Sequence, residues 1–405
     1  MERKIYLLLF TVLFSVACQS TATKNSASLD EKAVESTVQH LADDKLIYLE
    51  LSGTPYERGL THGKLLKKEI EEVLQLLKDD IQQNSKQDAD SFIAYFLKET
   101  DYVSDIEQWT PDLLEEVKGI AEGSGLAYAD LLMHQLIDEY WFHTLNLSAH
   151  SCSSFGLNKR EDQPSIAAQN MDIPPFYHGY QTVINVIEPE TQKQTMYLTI
   201  PGHLGITGMN DQAVSINCNT LIQLGSGTTG LPVTFIVRGV LEKNTQEEAL
   251  AFLHEIQHAS GQNYIIGGPE TVHSMECSAN QVAEFRPFEN APFTYHTNHP
   301  MANTDFSQAF LGILGNASIS IEQFQQEEFR CQRIASFQER FTSETEGVGI
   351  EDIKTVLRSR DNETRDVVSN ENTYASVIYQ LSGEPQFIIA PGKPHEEAYM
   401  HIPFK

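Results

Sequence analysis

The hydrophobic period of the chain changes at about residue 152, and this change limits the folds open to it. Upstream, apolar residues recur at helical spacing. Leu46–Leu51 alternates as a strand, and Gly53-Thr54-Pro55 then turns the chain into a helix over about Glu57–Gln83. Thr110 as cap with Pro111 at the first position opens a helix that stops at Gly123-Ser124-Gly125, and another covers about Ala129–Ile137. Downstream the texture is β, with strands expected at Ile166–Asn170, Val183–Ile187, Met196–Ile200 and Val214–Asn217. Helices follow at about Pro232–Glu242 and Gln246–Ala259, the second opened by a capping box of Thr245 and Glu248. Further strands are expected near Tyr264–Ile266, Thr271–Glu276, Val282–Phe285 and Phe293–Thr297. A long helix over about Ser320–Phe341, a short one near Ile353–Arg358 and two last strands, Tyr374–Leu381 and Gln386–Ala390, complete the series. Strand blocks broken by pairs of helices predict an α+β layered architecture, with stacked sheets inside and helices outside.

With 405 residues, 40% of them hydrophobic, the chain can bury a large core in one big domain or two ordinary ones. Its formal net charge of −28 makes nucleic acid a poor partner and sets the surface against anionic lipid. Met1-Glu2-Arg3-Lys4 followed by the apolar run Ile5–Val16 reads as an export signal over residues 1–17, too short to span a bilayer comfortably. It ends in Ser15-Val16-Ala17-Cys18-Gln19, which resembles the lipobox of bacterial lipoproteins with Ser15 where Leu is usual. That implies lipidation of Cys18 and a place in the periplasm or cell envelope, although ordinary cleavage after Ala17 also satisfies the small-residue rule. Residues 18–44 read as a polar tether. Apart from Cys18, the cysteines Cys152, Cys218, Cys277 and Cys331 are too few for a disulfide framework, leaving at most a Cys218–Cys277 bridge.

The chemistry points to Cys152. It lies in Ser151-Cys152-Ser153-Ser154, about twenty residues before a strand that ends in Gln169-Asn170-Met171-Asp172. This is the pattern of a cysteine that becomes its own chain's N-terminus, the thiol attacking while the freed α-amine takes the proton. Gly208-Met209-Asn210-Asp211 and His296-Thr297-Asn298-His299 add amide donors for an oxyanion. Taken singly each residue also has a structural role: a buried thiol for Cys152, turn formers for Asn210 and Asn298, a strand-end carboxylate for Asp172.

Taken together with Gly53-Thr54-Pro55-Tyr56-Glu57-Arg58-Gly59, His62-Gly63, the strand Tyr374–Tyr379 and Gly392-Lys393-Pro394, these segments occur in the order found in one family. From about residue 46 onward the chain resembles the penicillin acyltransferase-like family of N-terminal-nucleophile cysteine hydrolases. The resemblance implies a four-layer αββα fold and self-cleavage between Ser151 and Cys152. The products would be a mostly helical α chain (45–151) and a catalytic β chain (152–405), folded as one αββα domain and held as an αβ heterodimer. It also implies roles for Asp172 near the nucleophile, Asn298 in the oxyanion hole, Asn210 as the match to the glycine-flanked asparagine of the related bile-salt and penicillin V hydrolases, and Arg330 as the active-site arginine with Arg333 as the alternative. The substrate would be a small-molecule linear amide, with an acyl-CoA or an amine acceptor if the reaction is transfer, and no cofactor is called for. Bile-salt and penicillin V hydrolases have Arg three residues before the Asp; Gln169 stands here, which favours the acyltransferase branch.

Two other readings compete. His254-Glu255-Ile256-Gln257-His258 is an H-E-x-x-H inside an expected helix, which would make His254 and His258 zinc ligands and Glu255 a base, with Glu270 or Glu276 as a distant third ligand. Tyr264 stands where the longer zinc-protease pattern has its third His. A surface lipoprotein that binds a small amide without cleaving it would be expected to lack Cys152 or Asn298, and both are present.

Overall fold

The computed structural model describes residues 36–144, 152–161, 163–327, 329–342, 345, 347–360 and 367–405. The export segment, Cys18 and Ser151 lie outside the described residues. β1 (Thr37–Leu41) and β2 (Leu46–Ser52) form a hairpin whose turn residues Ala42, Asp43 and Asp44 all take left-handed φ, 53°, 55° and 65°.

Helix α1 (Pro55–Leu65) starts at a capping box, Thr54 accepting from the Glu57 N–H while Glu57 accepts from the Thr54 N–H. The single helix expected over 57–83 is two, because the backbone leaves helical geometry at Leu66 before α2 (Lys67–Ser85) resumes. α3 (Ala89–Glu99), α4 (Tyr102–Trp109), α5 (Pro111–Ser124), α6 (Tyr128–Gln135) and α7 (Ile137–Thr144) follow. α5 ends where foreseen, with Gly125 at φ 72° bonding back to Ala121 and Glu122, but the Thr110 side chain does not cap its start.

α1 and α5 cross through glycines. A Cβ on Gly59 would sit 2.0 Å from the Glu116 carbonyl oxygen, and one on Gly119 would sit 2.2 Å from that of Tyr56. The two backbones are in contact, as at the small-residue crossings of paired helices. Beside the crossing, Glu116 takes Arg58 at 2.9 Å and Arg238, from α8 (Val233–Leu241), at 3.1 Å. Burial would raise the Glu116 carboxyl, but the two guanidinium groups outweigh it and bring it down to about 2.

Beyond residue 152 the chain builds two sheets. Their strands are β3 (Ser153–Leu157), β4 (Ile166–Asp172), β5 (Thr182–Ile187), β6 (Gln194–Thr199), β7 (Thr207–Asn210), β8 (Ser215–Thr220), β9 (Gln262–Gly267), β10 (Val272–Cys277), β11 (Val282–Phe285), β12 (Phe293–His296), β13 (Thr373–Gln380), β14 (Gln386–Ala390) and β15 (Met400–Ile402). One sheet runs β1-β2-β5-β6-β7-β8-β9-β10-β11 and the other β12-β3-β4-β13-β14-β15. Their paired strands are antiparallel except β2 with β5, where chain from before residue 152 lies parallel to chain from after it. The faces meet where β3 and β4 lie on β8 and β9, and β10 on β12.

Outside the first sheet, α1 packs on β2, α8 on β7 and β8, and α9 (Gln246–Glu255) on β9. Outside the second, α12 (Phe329–Arg340) packs on β12 and α13 (Ile350–Leu357) on β4. The architecture is therefore helix–sheet–sheet–helix, the αββα sandwich. Covered on both faces, the strands are buried along most of their lengths. Under α12 an aromatic cluster of Phe155, Phe293, Tyr295, Phe337 and Phe341 fills the second core, Phe155 and Phe341 being 4.4 Å apart between ring centres.

Several elements differ from expectation. α3, α4, α7, α10 (Gln308–Ala317) and β1, β3, β7 and β15 were not foreseen, and the long helix over 320–341 is α11 (Ile321–Glu327) followed by α12. α9 stops at Glu255 rather than Ala259 because Leu231 takes the backbone of the following segment, its N–H donating to Gln257 and its carbonyl accepting from Ala259. Among the described residues no helix is long and apolar enough to cross a membrane.

Candidate active site

Cys152 heads β3, and the antiparallel register that sets Ser153 opposite Asn170 lays its side chain against the end of β4. Its Sγ lies 3.6 Å from Met171 Sδ and accepts from the Asp172 N–H at 3.4 Å. The residue is 4% exposed, and burial pushes the thiol up to about 12, with the Asp172 carboxylate adding to the rise. So buried, the sulfur is held as a protonated thiol.

Asp172 is fully buried at the C-terminal end of β4. Its Oδ2 accepts from Asn370 Nδ2 at 2.5 Å, while Oδ1 takes no hydrogen bond from the described residues. Burial pushes the carboxyl up to about 7 even though Arg333 pulls the other way. A buried orphan oxygen beside the thiol is unusual enough to call for a role.

Arg333, on α12 and 1% exposed, joins the site together. Its Nη1 donates to the Cys152 carbonyl and to Ser153 Oγ, both at 3.2 Å, and its Nη2 donates to Asn298 Oδ1 at 2.9 Å. The planar fork fixes both residues at once. With Oδ1 so held, Asn298 Nδ2 turns to the Thr220 carbonyl at 3.0 Å, spending one of its two protons and leaving the other. Of the residues proposed from sequence, Cys152, Asp172 and Asn298 therefore meet, and the arginine joining them is Arg333. The side chain of Arg330 lies outside the described residues. The two arginines are three apart on one helix, so spacing alone did not separate them.

Asn210 does not join them. Its Nδ2 donates to the Leu241 and Lys243 carbonyls at 2.9 and 2.8 Å, and its Oδ1 accepts from the N–H groups of Gln212 and Val214. With the amide spent on the β7–β8 turn and the end of α8, no donor is left for an oxyanion. Gln169 likewise bonds the Cys218 backbone, tying β4 to β8 across the two sheets. Cys218 and Cys277 are both free, so the bridge between them is not formed.

Sequence reasoning gave Glu276 the wrong part. Instead of reaching toward a metal, this buried carboxylate takes His296 Nε2 and the Met301 N–H on Oε1, each at 2.7 Å, and the N–H groups of Ala302 and Asn303 on Oε2 at 2.9 and 2.6 Å. Burial would raise it, but these donors hold it below the ordinary carboxylate range. The clamp fixes the loop that carries Asn298. A Glu beside Met275 and Cys277, near the end of the strand Val272–Cys277, was its signal in the sequence.

The H-E-x-x-H pair is not set as a metal site. His254 is exposed on α9, whereas His258 lies past the helix end, 2% exposed, with Nε2 2.9 Å from the Leu253 carbonyl. Among the described residues no three His, Cys, Asp or Glu side chains converge as metal ligands.

A cavity of about 30 Å³ opens beside the thiol, lined by Cys152 and Asp172, by Ile137, Asp138 and Trp141 of α7, and by His203 and Thr220 among others. That is room for about one water molecule. α7 thus closes the pocket from the side of the chain that precedes Cys152.

The chain is similar to several known proteins. Residues 158–388, holding Asp172, Asn298 and Arg333, match the acyl-coenzyme A:6-aminopenicillanic acid acyl-transferase family; Cys152 lies just before the matched span. The 40 kDa form of the acyl-coenzyme A:6-aminopenicillanic-acid-acyltransferase of Emericella nidulans is 23% identical over 259 residues, 64% of this chain and 70% of that protein. Protein dcd1A of Dictyostelium discoideum is 30% identical over 112 residues, 24% of this chain and 25% of that one. Among solved structures, a mutant conjugated bile acid hydrolase from Clostridium perfringens aligns at TM-score 0.39 and 12% identity over 62% of this chain and 92% of that one. Penicillin V acylase from Agrobacterium tumefaciens aligns at 0.32 and 12% over 62% and 86%. With the match spanning more than half of its 405 residues, the chain belongs to the acyl-coenzyme A:6-aminopenicillanic acid acyl-transferase family.

Proposed function

We propose that the chain is a precursor that cuts itself between Ser151 and Cys152, and that the new N-terminal Cys152 then cleaves or transfers the acyl group of a linear amide. In the precursor the Cys152 thiol attacks the Ser151 carbonyl; the C–N bond breaks as the C–S bond forms, and the released nitrogen becomes an α-amine. Water hydrolyses this thioester, freeing the Ser151 carboxylate and restoring the thiol. Asp172 is suited to take the thiol proton, since a carboxyl near 7 is poised as a base at neutral pH. After the cut its Oδ1, open among the described residues, can accept from the α-amine and hold the α-ammonium once that amine has taken a proton.

In turnover the thiol attacks the substrate carbonyl while the α-amine takes its proton. The remaining Nδ2 proton of Asn298 stabilises the oxyanion, and collapse passes the proton to the leaving amine. The resulting thioester is resolved by water, giving an acid, or by a second amine, giving a new amide. The observation that carries this reading is the Arg333 fork, which holds the Cys152 carbonyl and Asn298 Oδ1 on one guanidinium beside the cavity. We also propose export through residues 1–17 with lipidation at Cys18, on the basic start and the apolar run.

The test is to mix purified protein with an activated acyl ester and then quench for mass analysis, with and without an amine acceptor. An acyl adduct on the fragment that begins at Cys152, discharged faster by the amine, supports transfer; discharge at the same rate supports hydrolysis. An adduct absent from Cys152 while turnover continues would overturn the proposal.

A further inference from the structure

Two carboxyl groups face the cavity, and only one of them has work in the proposed chemistry. The other is Asp138, on α7. Its Oδ1 accepts from Thr220 Oγ1 at 3.1 Å and from Gln262 Nε2 at 3.2 Å, while Oδ2 takes no bond from the described residues. The next residue, Glu139, is committed elsewhere, to the Val233 N–H and to Ser260 Oγ.

The cavity offers Asp138 no counter-charge, since its lining contains neither Lys nor Arg. The His203 that lines it accepts the Gly205 N–H on Nδ1 at 3.3 Å, so its proton is on Nε2, facing Thr234 Oγ1 at 3.0 Å, and the ring is neutral. Arg333 is spent on Cys152, Ser153 and Asn298. The α-ammonium made by the cut falls to Asp172, which lies against Cys152.

Thr220 places this uncompensated carboxylate close to the chemistry. Its carbonyl holds Asn298 Nδ2 and its hydroxyl holds Asp138, so the oxyanion donor and the carboxylate are separated by one residue. An anion there opposes the developing oxyanion unless a cation stands beside it. The cut does not supply one, and the rest of the lining is largely apolar.

We propose that Asp138 is the specificity residue of this pocket: its open oxygen receives a protonated amino group that the substrate carries within a few atoms of the scissile carbonyl. The inference rests on the amide-cleaving reading and adds the substrate class, a cationic amide. The ammonium can belong to the acyl half or to the amine half, and the test separates them.

The mature protein is assayed on two matched pairs of substrates: the 4-nitroanilide of 4-aminobutanoic acid beside the neutral pentanoyl 4-nitroanilide of the same length, and N-pentanoyl ethylenediamine, whose charge sits on the amine half, beside the neutral N-propyl pentanamide of the same length. One ammonium substrate should exceed its neutral partner in kcat/KM by about tenfold to a hundredfold, as expected for a hydrogen bond between charged groups, and the pair that shows it tells which half carries the charge. Asp138→Asn should bring the ratio to within roughly threefold. Equal use within both pairs by the wild type, or an Asp138→Asn loss equal for the charged and neutral members of each pair, overturns the proposal. If no substrate turns over and Cys152 takes no acyl adduct, the amide-cleaving reading fails by itself. Butylammonium binding, measured by calorimetry against butanol, then decides the inference: Asp138-dependent binding upholds it, and equal or absent binding refutes it.

Discussion

Replacing Asn298 separates its two hydrogen-bonding roles. In Asn298→Ala the Nδ2 donor goes, and for an oxyanion-hole donor this costs ~10²–10³-fold in kcat, about 3–4 kcal/mol of transition-state stabilisation. The same change strips Arg333, 1% exposed, of one acceptor and leaves the Thr220 carbonyl without its donor. Losing a bond to a buried charged group adds a folding cost of about 1.5–3 kcal/mol. Asn298→Asp restores an acceptor toward Arg333 but supplies no N–H. It should recover part of the stability, through an ion pair with the guanidinium, and none of the kcat. The assay is single-substrate kinetics per cut, folded molecule, beside chemical denaturation of both variants. If Asn298→Asp regains kcat along with stability, or if either variant keeps more than about a tenth of wild-type kcat, the donor role is refuted.

Burial raises the Asp172 carboxyl from 3.8 to about 7, so its contribution to stability is fully present below its unfolded pKa and is lost as pH rises through about 7. In an uncut Cys152→Ala background, the stability gained from Asp172→Asn should therefore grow by about 4 kcal/mol between pH 4 and pH 8, and a pH-independent difference in denaturation midpoint would tell against it. Gly119→Ala would drive a Cβ to 2.2 Å from the Tyr56 carbonyl oxygen, where only backbone can move, and should destabilise by about 3 kcal/mol or more in a thermal melt. Glu276→Gln sets an N–H against the backbone N–H groups of the Asn298 loop; about 3 kcal/mol of stability and a fall in kcat larger than any change in KM are expected. A change confined to KM would detach the clamp from oxyanion positioning.

The layered architecture was legible because strands covered on both faces read as apolar runs and the helices carry clear stops such as Gly125. β3 was missed because the space between the sheets is partly polar. Ser154 Oγ donates to Asn219 Oδ1, which also takes Asn263 Nδ2 at 3.2 Å, while Asn263 Oδ1 takes Ser274 Oγ at 2.7 Å. A strand that faces such a ladder shows no hydrophobic alternation. β7 was hidden in a segment read as a turn, and the end of α9 is set by Leu231, far away in sequence.

At the site, Cys152, Asp172 and Asn298 could be named because the motifs around them are distinctive. Arg333 against Arg330 could not be settled, since both lie on one helix. Asn210 shows the converse: the same Gly-flanked polar turn that suggests an oxyanion donor also builds a hairpin, and Ala213 at φ 61° with four bonds on the Asn210 amide is that hairpin. Asp138 carried no sequence signal at all, because nothing in Ile137-Asp138-Glu139 tells which carboxylate faces a cavity.

The account stands or falls on Cys152 becoming an N-terminus. The intact mass of purified wild-type protein beside Cys152→Ala, with N-terminal sequencing of every chain seen, reads this directly. Two chains in the wild type, the second beginning at Cys152, and one uncut chain in the variant are predicted; a single uncut wild-type chain that still turns over amide would contradict it.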